Sequence, residues 1–209
     1  MIEFASGSKV QSFYHKLIYT KDTALFEIVP SYTTILITYD YFVYDFNTLQ
    51  NKLYNLDLVD MDLSYENNLI IIDVYYGIEV GLDLPLISNN TNLLKEEIIE
   101  IHSNKIYDIY AVGFMPGFGF LGEVDKRIST PRLKSPRTKV PKGSVAIADN
   151  QTAVYPNISA GGWNIIGQTT KELFIPNNPI ETLSPLKVGG KVKFNPITKK
   201  EFLSKGGIV

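Results

Sequence analysis

The sequence predicts an α+β fold of two domains, in which a β-α-β-β-α-β domain is followed by a β-barrel or β-sandwich. Over the first 76 residues, runs with the period of a strand alternate with runs that have the period of a helix. After residue 103 the helical period disappears, and Gly and Pro residues separate short strand-like runs. We place the boundary near residues 77 to 82, so that the domains cover residues 1–78 and 79–209.

The first domain is predicted to contain four strands and two helices. Asp45 is placed to cap the second helix. The inner faces of the helices are expected to carry Val10, Phe13, Tyr14 and Leu17 in the first, and Phe46, Leu49 and Leu53 in the second. The predicted strands are Ile2–Phe4, which looks truncated, Leu25–Pro30, Thr34–Tyr39 and Leu69–Tyr76. This order is that of the split βαβ unit of ferredoxin-like domains.

The second domain is predicted to begin with a loop over Gly77–Asn90 and a helix that ends near Ser103. The remaining chain contains short apolar runs between Gly and Pro residues, which is typical of a barrel or a sandwich. The predicted strands are Ile109–Phe114, Ser144–Ala148, Thr152–Tyr155, Trp163–Gly167 and Lys191–Phe194.

Composition argues against several classes of protein. The net charge of −2 gives no general attraction to nucleic acid or to an anionic membrane. No apolar run approaches the roughly 20 residues of a membrane span. The chain has no cysteine, which excludes disulfides and thiolate catalysis and fits a cytoplasmic location. With two histidines and no HExxH spacing, no metal site is expected.

A glycine-rich segment, GFMPGFGFLG, covers residues 113–122. Its second half fits the G-x-G-x-x-G pattern of dinucleotide-binding folds, but the sequence EVDKRISTPR follows it in place of an amphipathic helix. We therefore reject a dinucleotide site. Two interpretations stay open. The segment is a glycine-kinked aromatic loop, or Phe114, Phe118 and Phe120 form the apolar wall of a small-ligand pocket.

A run of basic residues, which we call the basic loop, extends from Lys126 to Lys142. No acidic residue occurs between Lys126 and Ala148, and three prolines prevent a helix. The loop is either a solvated surface or a local anion site, since arginine offers a fork to carboxylate or phosphate. The candidate anion ligands are Arg132, Arg137 and Lys142. The sequence has no Walker A motif, so any ATP is held by other means.

A second candidate segment, SAGGWNIIGQT, covers residues 159–169. Gly161 and Gly162 either form a tight turn or let a ligand approach the backbone next to Trp163. Gln151 and Tyr155, just upstream, are candidate hydrogen-bonding groups in the same cleft. His102 ends the predicted helix, where a histidine is favoured by the helix dipole or serves as a general acid or base.

These motifs together resemble one known family. The helix EEIIEIH and the blocks GFMPGFGFLG, TPR…SPRTKVPKGSVAIA, QTAVYP and SAGGWNIIGQT occur in an order that resembles the B-type subunit family of bacterial 5-oxoprolinase (PxpB). That family includes the kinase inhibitor KipI and proteins formerly called allophanate hydrolase subunit 1, and it is related to the carboxyltransferase part of urea carboxylase. The resemblance implies a ferredoxin-like domain followed by a cyclophilin-like β-barrel. The family pattern begins with an additional strand-forming segment that contains a Gly-Asp pair, and this chain starts at the end of that strand.

The resemblance also implies an activity. Together with A-type and C-type subunits (PxpA-like and PxpC-like), a B-type subunit opens the lactam of 5-oxo-L-proline to L-glutamate at the expense of ATP, with Mg²⁺ bound by the complex. In that setting Arg132, Arg137 and Lys142 would neutralise phosphate or the substrate carboxylate, and His102 would transfer a proton. Phe118, Gly161, Gly162 and Trp163 would shape the pocket. The chain alone is expected to be inactive.

Two alternatives stay open. One is a KipI-like inhibitor of a sensor histidine kinase, which needs only an exposed surface on the barrel. The other is an allophanate hydrolase or carboxyltransferase-type subunit, which would require a biotin-carrying partner.

Overall fold

The structure, a computed structural model, describes residues 1–57, 69–179 and 182–209. The chain divides into two compact units, Met1–Glu66 and Asn67–Val209. No helix of the described residues is long and apolar enough to cross a membrane.

The first unit contains three of the four strands and both helices that the sequence predicts for it. The Asp45 carboxylate accepts a 2.7 Å hydrogen bond from the backbone N–H of Thr48 and so caps the second helix. The predicted core residues Val10, Phe13, Leu17 and Leu49 are buried, whereas Phe46, predicted to face inward, is 67% exposed. The elements are β1 (Ile2–Glu3), α1 (Gly7–Thr20), β2 (Leu25–Ser31), β3 (Thr34–Tyr39) and α2 (Phe46–Asp57).

The sheet of the first unit has the order β1-β3-β2, and both pairs are antiparallel. Strand β3 thus lies between the two strands that α1 connects, as in a split βαβ unit. The predicted fourth strand is missing from this sheet as far as the described residues go, because the segment that starts at Leu69 pairs elsewhere. The complete βαββαβ arrangement is therefore not observed.

The second unit contains the remaining elements. They are β4 (Leu69–Val74), α3 (Leu84–Thr91), α4 (Lys95–Ser103), β5 (Ile106–Val112), β6 (Gly119–Gly122), β7 (Arg137–Val140), β8 (Ser144–Ala148), β9 (Gln151–Val154), β10 (Ser159–Gly161), β11 (Asn164–Gln168), β12 (Lys191–Pro196) and α5 (Lys199–Ser204). Helix α3 lies in the segment that was predicted to be a loop. The GFGFLG segment forms strand β6, so it is not a phosphate-binding turn in front of a helix.

Seven strands of the second unit form one curved sheet in the order β11-β8-β9-β6-β5-β12-β4. Its two ends meet where Tyr75, just after β4, exchanges two backbone hydrogen bonds of 2.9 Å with Gln168 of β11. The sheet is therefore nearly closed, which confirms the prediction of a barrel at this level. Strands β7 and β10 form a separate antiparallel pair.

Strand β4 is the main correction to the predicted domain organisation. It pairs in parallel with β12 over six residues, from Leu69 opposite Lys191 to Val74 opposite Pro196. The structure thus divides the chain between Glu66 and Asn67, whereas the sequence pattern placed this strand in a first domain that ends at residue 78. A short apolar run does not reveal which of two sheets it joins, because its partner strand follows more than 100 residues later.

The barrel sheet buries side chains on both faces. Along β8, Val145 and Ile147 belong to the large core of the unit. Ala146 and Ala148 alternate with them and lie in a second, smaller cluster on the opposite face. The small alanine side chains leave room there for aromatic rings, which come from the candidate functional segments.

The pairing of β4 predicts which fragments fold. A fragment of residues 67–209 retains β4 and should unfold cooperatively. A fragment of residues 79–209 should not fold, because it lacks the fully buried Ile72 and Val74 and exposes the edge of β12. Each lost aliphatic side chain costs roughly 2–5 kcal/mol, against a total stability of about 5–15 kcal/mol. Urea unfolding followed by the fluorescence of Trp163, the only tryptophan, measures both fragments. A cooperative transition of equal midpoint in the shorter fragment would show that this account of β4 is wrong.

Candidate functional site

The basic loop is anchored to the segment that follows β10. The backbone N–H of Leu133 donates a 2.7 Å hydrogen bond to the carbonyl of Gly162. The side-chain amide of Asn164 donates a 2.8 Å hydrogen bond to the carbonyl of Pro131. These contacts hold the basic loop against the second candidate segment.

Aromatic residues from three predicted segments meet in one cluster around Phe118. The Phe118 ring lies 5.3 Å from the ring of Tyr155 and 5.7 Å from that of Trp163, both edge to face. It also lies 5.2 Å from Phe114 and 4.9 Å from Phe120. Edge-to-face pairs at these distances are favourable beyond the apolar area that they bury. The structure thus brings together the residues that were predicted to line one pocket.

The centre of this aromatic cluster is closed. Phe118, Tyr155 and Trp163 are only 2%, 1% and 5% exposed, so their rings pack against one another and against the alanines of the sheet. Phe114, in contrast, is 65% exposed. The guanidinium of the exposed Arg132 lies over the Trp163 ring, 5.6 Å from its centroid. The cluster therefore does not itself form an open apolar wall.

The two adjacent glycines differ in how closely their surroundings pack against them. A Cβ atom at Gly161 would lie 2.3 Å from the hydroxyl oxygen of Tyr155, so this position has to be glycine for the tyrosine to pack. A Cβ atom at Gly162 would meet its nearest neighbour, Pro136, at an ordinary contact distance of 3.5 Å. Neither residue adopts a positive φ. Burial raises the pKa of Tyr155, and a backbone hydrogen bond with Trp163 and the nearby arginines oppose that shift.

Arg137 makes a salt bridge with Asp83, a residue that the sequence analysis did not select. One guanidinium nitrogen, Nη2, donates a 2.7 Å hydrogen bond to Oδ1 of Asp83, which is 4% exposed. The other carboxylate oxygen accepts 2.7 Å from the backbone N–H of Ile165, and the N–H of Asp83 donates 2.8 Å to the Ile165 carbonyl. The Nη1 atom of Arg137 is buried without a partner among the described residues. Asp83 stands directly before Leu84-Pro85 at the start of α3, and Asp close to Pro at a helix start is the signal that could have drawn attention to it.

His102 lies in the core of the second unit and is completely buried. Its Nδ1 is 2.8 Å from the hydroxyl of Tyr76, and its Nε2 is 2.9 Å from the hydroxyl of Thr152. The imidazole also stacks on Phe194, with ring centroids 4.6 Å apart. Burial lowers the pKa of His102 to about 3, so the ring is neutral at physiological pH. Both ring nitrogens are engaged and no part of the ring is exposed, which favours a structural role over the predicted proton transfer.

Lys142 and Gln151 lie apart from the aromatic cluster. The ammonium of Lys142 binds both carboxylate oxygens of Glu172 at 2.7 Å, so its charge is compensated locally. Gln151 begins strand β9 and pairs with Gly122 and Ala148. The structure therefore does not place these residues with the other predicted anion-binding groups.

The cations available for an anion are fewer than the sequence suggests. Within the basic loop, Arg127, Arg137 and Lys142 each pair with a carboxylate. The remaining basic side chains, for which the described residues provide no carboxylate partner, are Lys126, Arg132, Lys134 and Lys139. Among the described residues no three His, Asp and Glu side chains are grouped so that they could hold a metal ion.

Comparison with known proteins gives consistent matches over most of the chain. The family model described as the carboxyltransferase domain, subdomain C and D, matches residues 1–184. The chain is 40% identical over 188 residues to the B-type 5-oxoprolinase subunit of Bacillus subtilis (strain 168), an alignment that covers 84% of this chain and 77% of that protein. It is 39% identical over 168 residues to the B-type 5-oxoprolinase subunit of Haemophilus influenzae, with 80% of this chain and 78% of that protein covered.

Two solved structures have a similar fold. The crystal structure of TTHA0988 matches 94% of this chain with a TM-score of 0.80 and 28% identity. This chain spans only 39% of the longer TTHA0988 chain. Urea carboxylase of Kluyveromyces lactis matches 95% of this chain and 20% of its own length with a TM-score of 0.67. Its identity is 14%, so that likeness shows the fold alone.

The depressed pKa of His102 predicts a pH dependence of stability. The unfolded histidine takes up a proton as the pH falls below about 6.5, whereas the folded one stays neutral until about pH 3. The contribution of neutral His102 to the free energy of unfolding is therefore complete above pH 6.5, and it is lost as the pH falls toward 3. The free energy of unfolding should decrease between pH 6.5 and pH 5 with a slope approaching about 1.4 kcal/mol per pH unit.

His102→Gln should abolish that slope, as measured by urea unfolding with Trp163 fluorescence, which reports on the second unit. His15→Gln is the matched control, because His15 is the other histidine and belongs to the first unit. An unchanged slope in His102→Gln would contradict this prediction.

The salt bridge of Asp83 predicts a larger stability loss than an exposed ion pair. Asp83→Ala leaves a partly buried guanidinium without its partner, which costs about 3–5 kcal/mol when the pair is fully buried. We expect the lower end of that range, because the Arg137 side chain is 27% exposed. Asp125→Ala is the control: its partner Arg127 is 65% exposed, and the loss should stay below about 1 kcal/mol. Equal losses of unfolding free energy in the two variants would refute a special role for Asp83.

Proposed function

Since this chain belongs to the family of B-type 5-oxoprolinase subunits, we propose that it acts as the B-type subunit of an ATP-dependent 5-oxoprolinase. In that role it contributes, with partner subunits, to the hydrolysis of 5-oxo-L-proline to L-glutamate. The observation that carries the proposal is the 40% identity to a protein of this name over 188 residues. That aligned length exceeds the number of residues in either compact unit, so both units take part in the similarity.

The reaction requires an activated amide, because a lactam is a stable amide with a poor leaving group. Phosphorylation of the amide oxygen makes the ring carbon a better electrophile. Water then adds to that carbon, the carbon–nitrogen bond breaks as the nitrogen takes up a proton, and a second water hydrolyses the resulting acyl phosphate to glutamate and phosphate. Negative charge accumulates on the phosphoryl oxygens throughout, so the site needs cations fixed in advance.

Arg132 is the residue of this chain best suited to that requirement. It is exposed, the described residues provide no carboxylate partner for it, and the Trp163 ring beneath it holds the guanidinium in place. An aromatic face stabilises a cation while its charge remains uncompensated by a carboxylate. Lys134 and Lys139 carry further exposed cations on the same loop. ATP with Mg²⁺, bound by the complex, would supply the phosphoryl group, and these cations fit the binding of phosphate.

Arg137 has a different role in this proposal. Its salt bridge with Asp83 fixes β7 to β11 and thereby the end of the basic loop. It acts as a positioning residue for Arg132 and not as an anion ligand. His102 is assigned to the core, and the proton that the reaction needs comes from another group of the complex.

Partner subunits are part of the proposal. The relatives are named as one subunit of an enzyme, which implies a complex of several chains. The fold of this chain also makes up 39% of the longer TTHA0988 chain, so there it has a covalently attached neighbour. We propose a C-type and an A-type 5-oxoprolinase subunit as the partners, in the cytoplasm.

The test is ATP-dependent release of glutamate from 5-oxoproline by this chain, alone and together with the C-type and A-type subunits. Turnover is expected only with the partners. Arg132→Ala should lower kcat/KM of the complex by about 100-fold, as expected for one lost transition-state cation. Arg127→Ala is the matched control on the same loop, because Arg127 pairs with Asp125 at an exposed position, and it should have little effect.

Turnover by the chain alone would contradict the need for partners. No turnover with all folded partners present would refute the enzyme function and favour a kinase regulator. Equal losses of kcat/KM in Arg132→Ala and Arg127→Ala would show that Arg132 does not belong to the anion site.

A further inference from the structure

The two ends of the barrel sheet are joined over a single pair of residues, which we call the seam. Tyr75 and Gln168 exchange two backbone hydrogen bonds of 2.9 Å, and the described residues form no further ladder between β4 and β11. Two hydrogen bonds contribute little net stability, because open strand ends bond to water instead. The closed barrel therefore depends on other contacts at the seam.

One such contact is a close approach of the backbone at Gly167, the residue before Gln168. A Cβ atom at Gly167 would lie 2.8 Å from the carbonyl oxygen of Tyr75 and 3.1 Å from the ring of Tyr76. No larger side chain fits in that space without a shift of the backbone that follows β4. The third glycine of the SAGGWNIIGQT segment thus lets β11 pack directly against Tyr76.

Tyr76 extends from the seam into the core through a chain of hydrogen bonds. Its hydroxyl lies 2.8 Å from Nδ1 of His102, whose Nε2 lies 2.9 Å from the hydroxyl oxygen of Thr152. The Thr152 hydroxyl donates a 3.0 Å hydrogen bond to the carbonyl oxygen of Ala146. His102 and Thr152 are completely buried. The chain thus connects the seam, through the last turn of α4, with β9 and β8.

The last acceptor of this chain fixes the position of every proton in it. A carbonyl oxygen only accepts hydrogen bonds, so the single hydroxyl proton of Thr152 points to Ala146 and the hydroxyl oxygen accepts from Nε2 of His102. Nδ1 then carries no proton and accepts from the hydroxyl of Tyr76. With the proton on Nδ1, the Tyr76 proton would have no acceptor among the described residues, and an unpaired buried donor is costly.

We infer that His102, fixed as the Nε2–H tautomer, is the central link of a contact that keeps the barrel closed at its seam. This contact, the seam lock, consists of Gly167, Tyr76, His102 and Thr152. It joins the segment after β4, at one end of the sheet, to β9, which lies near the other end. A backbone carbonyl takes up no proton, so the chain holds the imidazole in place and does not conduct protons. The inference concerns the barrel alone and is independent of the proposed function.

The tautomer is measured by the nitrogen chemical shifts of the imidazole, which separate a ring nitrogen that carries a proton from one that does not. The chain has two histidines, so His15→Gln leaves the signals of His102 alone. We expect a protonated Nε2 and an unprotonated Nδ1 at neutral pH. A protonated Nδ1 would reverse the direction of the chain and overturn the assignment.

Hydrogen exchange of backbone amides tests whether the chain closes the seam. Tyr76→Phe and Thr152→Val each remove one hydroxyl and keep the shape of the side chain, so each leaves one imidazole nitrogen without a partner. The amides of Tyr75 and Gln168 should then exchange about tenfold faster or more, measured relative to the amide of Ile109, because local opening of the seam becomes easier. The Ile109 amide is the internal reference, since it is hydrogen-bonded at 2.9 Å within another part of the barrel.

Two further variants serve as controls for this measurement. Thr152→Ser retains the hydroxyl and should leave the exchange of the seam amides close to that of the wild type. Tyr44→Phe removes a tyrosine hydroxyl that bonds to Asp22 at 2.8 Å in the first unit, and it should not affect the seam. If Tyr76→Phe accelerates exchange equally at the seam and at Ile109, the chain stabilises the second unit as a whole and the seam lock is refuted.

Gly167→Ala tests the close contact at the seam. The added methyl group displaces Tyr76, so the seam amides should exchange faster by a similar factor. Adding Tyr76→Phe should accelerate exchange little further, because both changes disrupt the same contact. Gly162→Ala is the matched control, since its Cβ would meet Pro136 at an ordinary 3.5 Å. Effects of Gly167→Ala and Tyr76→Phe that multiply in the double variant would show that Gly167 is not part of the seam lock.

Discussion

A buried carboxylate holds the candidate site of this protein together. Asp83 bonds to the Arg137 guanidinium of β7 with one oxygen and to the backbone of Ile165 in β11 with the other, while its own N–H bonds back to the same residue. Three separate segments therefore share one ion pair: the start of α3, the end of the basic loop and the strand that follows Trp163. A buried charge is tolerated only when it is paired and hydrogen-bonded, so the geometry of all three segments is coupled.

The second constraint is the alternation of side-chain size along the barrel strands. Strand β8 places valine and isoleucine in the large core and alanine on the opposite face. The alanines give space for Phe118, Tyr155 and Trp163, whose rings pack edge to face and close the cluster. The guanidinium of Arg132 lies over the outer side of that closed cluster, 5.6 Å from the centroid of the Trp163 ring. The aromatic residues act through the cation above them and not through an open pocket.

Local sequence patterns correctly predicted the elements that are determined by residues close together in the sequence. Asp45 caps α2 and the apolar period of α1 matches its buried face, because caps and amphipathic periods are set within a few residues. The motif blocks also identified the family, which the matches at about 40% identity confirm. The features that the sequence analysis missed are contacts between residues far apart in the sequence. Strand β4 pairs with β12 more than 100 residues away, and Asp83 pairs with Arg137 across 54 residues. The sequence left a proton-transfer role open for His102, because no local pattern shows that Tyr76, Thr152 and Phe194 surround it in the core.

This chain alone provides only part of an anion-binding site. The groups that were expected to bind an anion divide into those already neutralised, such as Arg137 and Lys142, and one exposed cation on a rigid support, Arg132. An exposed cation binds an anion weakly in water, because solvent screens the interaction, and it becomes more effective where water is excluded. The closed aromatic cluster cannot exclude that water, since Arg132 lies on its outer surface. A second surface that covers Arg132 would exclude that water. That requirement agrees with the names of the relatives, each of which is one subunit of an enzyme.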